Sequence, residues 1–179
     1  GVGPSGVFDR RAFRQANTLL GNETGAAVIE HFGGELRLTS TRNHALVVTG
    51  AGGPITIDGR PIEVGRVFEL PDGGVLTLAP AVVGLRYVIG VAGGFDAPLV
   101  LGRRSRATLA QIGPEPLEAG SRLGVGLSTA TAWSGHIDPV LPNRDFQLRL
   151  SLGPRDDWFT PESIARLFTS RWRVDPLSG

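Results

Sequence analysis

The run Ile55-Thr-Ile-Asp-Gly-Arg-Pro-Ile-Glu-Val64 contains the clearest folding signal in the chain. Two isoleucines alternate with a threonine before Asp58-Gly59, and an isoleucine and a valine alternate with a glutamate after it. An Asp-Gly pair between two alternating runs is typical of the two-residue turn of a β-hairpin. The segment therefore predicts two antiparallel strands that share one apolar face.

Short apolar runs on both sides of this hairpin predict further strands. They lie at residues 36–38, 45–48, 67–70, 75–78 and 85–91. We expect 67–70 to pair with 75–78 across the intervening Pro-Asp-Gly-Gly turn. Gly accounts for 26 residues and Pro for 13, a turn-rich composition that favours short strands over long helices. The sequence therefore predicts a mainly β chain with a few short helices, and its hairpin rhythm is typical of a β-barrel lobe.

Two segments have the spacing of amphipathic helices. From Asp9 to Leu20 the apolar residues recur at helical spacing, with Asp9 as the predicted N-cap and Gly21-Asn22 as the stop. Thr160-Pro161 places an N-cap residue before a proline at the first position of a second helix. We expect the first helix to pack on a sheet, because its arginines fall mostly on the face opposite its apolar residues.

The composition excludes several kinds of chemistry. The 179 residues include 18 basic and 17 acidic side chains, a balance that argues against nucleic-acid or membrane-surface binding. All basic residues are arginine, so the chain has no P-loop lysine, no Schiff-base lysine and no lysine for biotin. Cysteine is absent and His31, His44 and His136 are far apart in sequence, so no metal site is predicted.

The chain shows no sign of export or of membrane insertion. No apolar run approaches the roughly 20 residues that span a bilayer, and no signal-peptide pattern opens the sequence. We therefore expect a cytoplasmic protein that does not contact a membrane. Methionine is also absent, even at the start. We expect the chain to be a piece of a longer protein.

The residue composition and the periodicity of the sequence change after Gly120. Residues 128–145 mix small residues, a tryptophan and prolines without periodicity, as a linker between lobes does. Residues 146–152 then resume strict alternation, which predicts a strand. We therefore predict a first lobe at 1–127 that lacks its N-terminal strands, a linker at 128–145, and the truncated start of a second lobe at 146–179.

Three loops carry side chains suited to catalysis or binding. Asp96 follows a Gly-Gly-Phe turn, where it is a general base, a residue that orients an amide, or a simple turn cap. Residues 101–106 hold three arginines and a serine; arginine binds carboxylates and phosphates, but a surface arginine cluster is more often a solvated face. Asp156 and Asp157 lie beside Trp158. They could serve in acid/base catalysis or in metal–nucleotide binding. The alternative is that one of them caps a turn and that the neighbouring aromatic residues pack between the lobes.

Four motifs occur in the order found in one known family. They are residues 1–22 (GVGPSGVFDRRAFRQANTLLGN), 91–96 (VAGGFD), 101–105 (LGRRS) and 153–159 (GPRDDWF). On these motifs the chain resembles the KipA family of carboxyltransferase-domain proteins, also called allophanate hydrolase subunit 2 or the C subunit of 5-oxoprolinase. The resemblance implies two cyclophilin-like β-barrel lobes, of which this chain holds one and the start of a second, similar lobe.

The resemblance also implies a function within a complex. The leading expectation is a subunit of an ATP-dependent 5-oxoprolinase that opens the 5-oxoproline ring to glutamate, together with a KipI-like partner subunit. One alternative is a biotin-dependent carboxyltransferase that acts on urea or a related amide, with biotin on a separate carrier. Another is a non-enzymatic regulator that antagonises a kinase-inhibitor partner.

Site residues follow from the positions that match the family motifs. The resemblance implies catalytic roles for Asp96, Arg103 and Asp156, and substrate binding by Ser5, Asp9, Asn17, Ser105 and Asp157. Arg103 is expected to hold an anion, because an oxyanion that develops on an amide is stabilised by backbone N–H groups and arginine. Asp96 is expected to act as a base or to orient the amide. The family commonly has Gln or His at the position of Arg155, so no role is transferred to that residue.

Overall fold

Short β-strands outnumber helices in the part of the chain that the computed structural model describes, namely residues 6–128, 135–138 and 149–172. The elements in these residues are α1 (Arg10–Leu19), β1 (Ile29–Phe32), β2 (Leu36–Thr39), β3 (His44–Gly52), β4 (Ile55–Ile57), β5 (Arg60–Pro61), β6 (Val67–Leu70), β7 (Val75–Leu78), β8 (Val83–Val91), β9 (Phe95–Asp96), β10 (Gly124–Val125), a 3-10 helix (Asp156–Trp158) and α2 (Pro161–Thr169). This content confirms the prediction of a mainly β chain with a few short helices. Neither of the two α-helices found in the described residues is long and apolar enough to cross a membrane.

The chain divides into two compact units, Gly1–Pro142 and Asn143–Gly179. The ten strands found in the described residues all belong to the first unit, and the 3-10 helix and α2 belong to the second. The lobe and linker boundaries predicted from the sequence stay predictions. Of the strand predicted at 146–152, residues 146–148 lie outside the described residues and 149–152 are not in a strand.

Two four-stranded antiparallel sheets form the body of the first unit. Their strand orders are β1-β8-β3-β6 and β2-β7-β4-β5, and β9 pairs separately with β10. Within the described residues no strand pairing joins one four-stranded sheet to the other. The predicted barrel lobe therefore takes the form of two facing sheets that backbone hydrogen bonds do not close into a barrel.

The hairpin predicted within residues 55–64 is present, with a short second strand. Ile57 lies opposite Arg60 in the antiparallel pair of β4 and β5. Asp58 and Gly59 have φ angles of 48° and 79°, and a type I′ hairpin turn requires two positive φ angles. Because β4 pairs with β7 on its other side, the hairpin forms one edge of its sheet.

The predicted pairing of residues 67–70 with 75–78 is wrong. β6 pairs with β3 in one sheet, whereas β7 pairs with β2 and β4 in the other. The turn between them is closed by a 2.9 Å hydrogen bond from the Gly74 N–H to the Pro71 carbonyl. A 2.9 Å bond from the Asp72 N–H to Asn43 Oδ1 also holds it. This turn carries the chain from one sheet to the other instead of folding it back as a hairpin.

The core lies between the facing sheets and follows the alternation of the strands. Leu46 and Val48 of β3 and Ile89 of β8 point into the same buried cluster as Leu76 and Leu78 of β7. Leu76 and Leu78 have no exposed surface. Full burial of such a side chain contributes about 1.5–3 kcal/mol to folding, so the two sheets stabilise each other through this layer.

Helix α1 covers the other face of the first sheet. Ala16 and Leu20 pack with Val47 and Val88 in a second buried cluster. The helix approaches the sheet closely at Gly90, where a Cβ atom would lie 2.9 Å from Leu20 Cδ1 and 3.2 Å from Ala16 Cβ. The glycine therefore provides the space into which the helix packs, as the amphipathic pattern of the sequence predicts.

Tyr87, the only tyrosine of the chain, holds an unsatisfied hydroxyl in the core between the sheets. The residue is 1% exposed, and among the described residues no hydrogen-bond partner reaches its oxygen. An unsatisfied buried polar group costs about 1–3 kcal/mol. We therefore expect Tyr87→Phe to raise the free energy of unfolding by about 1 kcal/mol, measured by urea denaturation at pH 7.

The same substitution should change how stability depends on alkaline pH. Burial raises the pKa of Tyr87 above its ordinary value of 10.0. The unfolded chain therefore loses the tyrosine proton at a lower pH than the folded protein does. The free energy of unfolding is unaffected by this ionisation below about pH 10 and falls as pH rises from there through the folded pKa. With no lysine or cysteine in the chain, this loss belongs to Tyr87 alone. Urea denaturation between pH 8 and 12 should show the decline in the natural protein but not in Tyr87→Phe; equal declines would contradict the assignment.

Candidate functional site

A glycine turn at the end of β8, residues 91–94, directly precedes the short strand that contains the first candidate catalytic residue, Asp96. The turn is closed by a 2.9 Å hydrogen bond from the Gly94 N–H to the Val91 carbonyl. Gly93 has a φ angle of 89° at its third position, the conformation that a type II turn requires and that glycine adopts without strain. The Phe95 N–H donates to the Ala27 carbonyl at 3.1 Å, which directs the chain into β9 and Asp96.

Asp96 presents an exposed carboxylate beside an open face of backbone. It lies opposite Gly124 in the short pair of β9 and β10. A Cβ atom on Gly124 would lie 3.3 Å from Asp96 Cβ and 3.6 Å from Oδ2. The missing side chain therefore leaves one side of the carboxylate clear. Within the described residues no hydrogen bond or ion pair engages this carboxylate, so it is available to an incoming group.

The arginine loop, residues 101–106, returns to the strand end that carries Asp96. Val100 and Arg103 exchange two backbone hydrogen bonds of 2.8 and 3.0 Å around Leu101 and Gly102. Arg104 Nε then donates to the Ala97 carbonyl at 2.9 Å. Asp96 and Arg103 are each one position from a partner in this last bond, and both side chains are exposed. The bond thus joins the loop that carries Arg103 to the residue that follows Asp96.

The rest of the arginine loop has structural contacts. Arg106 Nη1 forms a 2.6 Å ion pair with Glu115 Oε1, and Ser105 beside it is half-buried. A Cβ atom on Gly113 would overlap the Ser105 carbonyl oxygen. This packing stiffens the base of the loop. The substrate-binding role predicted for Ser105 stays a prediction.

Asp9 caps α1, as the sequence also predicts. Its Oδ1 accepts from the N–H groups of Arg11 and Ala12 at 3.1 and 2.9 Å. Glu30, which no sequence motif singles out, accepts from the N–H groups of Phe8 and Asp9 at 2.8 and 3.3 Å. The two carboxylates together hold the entry to the helix. Asp9 as a substrate ligand stays a prediction, and Ser5 lies outside the described residues.

Among the candidates that the structure describes, Asn17 is the buried one, at 2% exposure. Its Nδ2 donates to the Ala26 carbonyl at 3.0 Å, and its Oδ1 accepts from Asn22 Nδ2 at 3.1 Å. Asn22 in turn contacts the glycine turn, because its Oδ1 accepts from the Gly93 N–H at 2.8 Å. Both amides therefore support the segment that carries Asp96. The sequence signals Asn22 only as a helix stop, so its contact with Gly93 was missed.

Asp156 and Asp157 lie in the second unit, at the start of the 3-10 helix, and both are exposed. Asp156 Oδ1 accepts from the Asp157 N–H at 3.1 Å. The guanidinium of Arg155 lies 5.0 Å from the ring centroid of Trp158, a cation–π distance. Thr160 caps α2 through a 3.3 Å bond from the Ser163 N–H, as predicted. The roles predicted for the two aspartates stay predictions.

The candidate loops of the first unit offer the exposed carboxylate of Asp96 and the exposed guanidinium of Arg103. Within residues 6–128, 135–138 and 149–172, no group of three His, Cys, Asp or Glu side chains is arranged to hold a metal ion. A carboxylate accepts a proton or a hydrogen bond from an N–H group, and a guanidinium binds a carboxylate or a developing oxyanion.

Comparison with known proteins gives a match over the whole length of the chain. Residues 1–179 match the family described as carboxyltransferase domain, subdomain A and B. The chain is 33% identical over 183 residues to the 5-oxoprolinase C subunit of Escherichia coli, covering 99% of this chain and 58% of that protein. It is 28% identical over 188 residues to the urea amidolyase of Saccharomyces cerevisiae, covering 97% of this chain and 10% of that protein.

Solved structures share the fold as well. The crystal structure of TTHA0988 superposes with a TM-score of 0.82 and 31% identity, over 93% of this chain and 34% of that one. The K. lactis urea amidolyase superposes with a TM-score of 0.79 and 26% identity, over 100% of this chain and 12% of that one. The chain spans 58% or less of each of these four relatives. By its sequence over the full length and by its two-sheet fold, the chain belongs to the carboxyltransferase-domain family, subdomains A and B.

Proposed function

We propose that the chain is part of a cytoplasmic, ATP-dependent 5-oxoprolinase complex that hydrolyses the lactam amide of 5-oxoproline to glutamate. The observation that carries the proposal is the free Asp96 carboxylate in the strand after the glycine turn, with Arg103 exposed on the loop that bonds to the Ala97 carbonyl. The 33% identity to a 5-oxoprolinase C subunit over 99% of the chain supports this choice of substrate.

The two side chains divide the chemistry of ring opening between them. 5-Oxoproline carries a carboxylate and a lactam amide, so it offers an anion to Arg103 and an N–H group to Asp96. Asp96 accepts the hydrogen bond of the lactam N–H, or the proton of the attacking water. Arg103 holds the substrate carboxylate or the oxyanion that develops at the carbonyl. Neither function requires lysine or cysteine, which the chain lacks.

Nucleotide binding of the P-loop type is not expected from this chain. A P-loop needs a lysine that reaches the β- and γ-phosphates, and the chain contains none. The chain thus lacks the residue on which that type of ATP site depends. We propose that a KipI-like subunit works with this one, since relatives of the chain are named as the C subunit of 5-oxoprolinase.

A second candidate is carboxyl transfer to urea or a related amide. It is favoured by the match to urea amidolyase over 97% of the chain and by the family's carboxyltransferase description. Asp96 and Arg103 would then position the amide nitrogen that receives the carboxyl group. The chain has no lysine to carry biotin, so this activity would depend on a biotinylated carrier.

The test is glutamate release from 5-oxoproline by the full-length protein, co-purified with its encoded partner subunits, with and without ATP. We expect release that requires ATP and that avidin does not inhibit. Carboxylation of urea that avidin blocks would replace the proposal with carboxyl transfer. An intact complex with neither activity would contradict both enzymatic proposals and leave a regulatory role.

A further inference from the structure

The glycine turn is held by a single side chain at two points. Asn22 Oδ1 accepts from the Gly93 N–H at 2.8 Å, and Asn22 Nδ2 donates to the Val91 carbonyl at 2.8 Å. The Val91 carbonyl also accepts the 2.9 Å bond from the Gly94 N–H that closes the turn. The amide of Asn22 therefore bonds to the turn at its first and third residues and leaves little freedom to the backbone between them.

Asn22 is itself held in place by α1. Its Nδ2 donates to Asn17 Oδ1 at 3.1 Å, and its backbone N–H donates to the Asn17 carbonyl at 2.9 Å. Asn17 is buried and its own Nδ2 is bonded to the Ala26 carbonyl. A continuous set of hydrogen bonds thus runs from the buried face of the helix to the turn that precedes Asp96.

We propose that Asn22 is a positioning residue that sets the direction of the Asp96 carboxylate through the glycine turn. Asp96 follows Gly93 by three positions, so a rotation of the turn backbone displaces the carboxylate. A displacement of about 1 Å is enough to reduce a rate by about 100-fold. The inference rests on the proposed function, because it takes Asp96 to be the group that contacts the substrate.

The chemistry of the contact requires an amide at position 22. One oxygen must accept from the Gly93 N–H while a nitrogen on the same carbon donates to the Val91 carbonyl. Asn22→Asp would keep the acceptor but place a second oxygen against the Val91 carbonyl and Asn17 Oδ1. Asn22→Ala would remove both bonds and leave the half-buried Gly93 N–H without its partner.

The first test combines Asn22→Ala with Asp96→Asn in the full complex and measures kcat and KM for 5-oxoproline per folded protein. Asn22→Ala alone should lower kcat by about 10- to 100-fold with KM within about twofold. In the Asp96→Asn background it should lower the residual kcat by less than about twofold. Equal fold losses in the two backgrounds would show that Asn22 affects kcat independently of Asp96 and would overturn the inference.

The matched control is Asn43→Ala. Asn43 Oδ1 also accepts a 2.9 Å bond from a distant backbone N–H, that of Asp72, but on the turn between β6 and β7. We expect this variant to lower stability by an amount similar to Asn22→Ala while kcat per folded protein stays within about twofold. A comparable fall in kcat for both asparagines would contradict a specific role for Asn22.

Hydrogen exchange of the Gly93 amide separates this inference from the proposed function. Asn22→Ala should speed exchange at Gly93 by at least about 10-fold, while amides of the β3–β8 ladder keep their protection. Unchanged exchange at Gly93 would overturn the inference even if 5-oxoproline is hydrolysed. Faster exchange in a complex that does not hydrolyse 5-oxoproline would support the contact between Asn22 and the turn. It would contradict both the proposed function and the catalytic part of the inference.

Discussion

Asp96→Asn is expected to lower kcat for 5-oxoproline hydrolysis by about 10²- to 10⁴-fold, the usual effect of removing a general acid–base group. The substitution keeps the shape of the side chain and removes its charge and its ability to take a proton. Because the carboxylate is exposed, the free energy of unfolding should change by less than about 0.5 kcal/mol. Steady-state kinetics and urea denaturation of the same preparation measure both quantities.

Asp72→Asn is the matched control for this substitution. Asp72 is also an exposed aspartate in a turn that precedes a strand, but it lies between β6 and β7 and carries no proposed role. Its kcat should stay within about twofold of the natural protein. If Asp96→Asn retains more than half of the natural kcat, Asp96 takes no part in the reaction and the candidate site must be assigned elsewhere.

Gly93→Ala is expected to cost about 2–5 kcal/mol of the free energy of unfolding, from two separate causes. The residue has a φ angle of 89°, at which an L-residue loses about 1–2 kcal/mol. The new Cβ would also overlap the Gly126 carbonyl oxygen and lie 2.7 Å from the Gly126 carbonyl carbon. Since these atoms are backbone, relief requires a shift of the turn, which adds about 1–3 kcal/mol and moves Asp96.

Gly33→Ala separates the two causes. Gly33 has almost the same φ angle, 88°, but a Cβ there meets no atom within 4 Å. It should therefore cost only the conformational part, about 1–2 kcal/mol, and leave kcat unchanged. Urea denaturation of both variants gives the difference. Equal losses in the free energy of unfolding at the two positions would mean that a side chain at position 93 meets no steric hindrance from Gly126. That result would contradict the close packing described around the glycine turn.

Local signals predicted the elements whose cause is local. The Asp58-Gly59 turn has the two positive φ angles that its residue types favour, and Asp9 and Thr160 cap their helices as their positions predict. The amphipathic pattern of α1 correctly indicated its buried face, including Ala16 and Leu19. In each case the feature depends on residues within one turn or one helix, so it can be predicted from a short stretch of sequence.

The pairing of strands could not be predicted in the same way. The turn after β6 has the residues of a hairpin turn, yet β6 and β7 belong to different sheets. The outcome depends on which apolar faces are buried against each other once all strands are present. The bond from the Asp72 N–H to Asn43 Oδ1, which holds this turn, joins positions 29 apart. No periodicity near residue 70 contains that information.

By itself the sequence determined the class of the fold, the caps and turns, the exclusion of lysine and cysteine chemistry, and the family that its motifs resemble. Only the tertiary structure decided how the candidate loops connect: the Arg104 side chain bonds to the Ala97 carbonyl and joins the loop of Arg103 to the residue after Asp96. It also decided that Asn22 holds Gly93, 71 positions away. The physical reason is that propensities and caps act over a few residues, whereas a site is assembled by burial and by hydrogen bonds between segments that meet only after the sheets have packed.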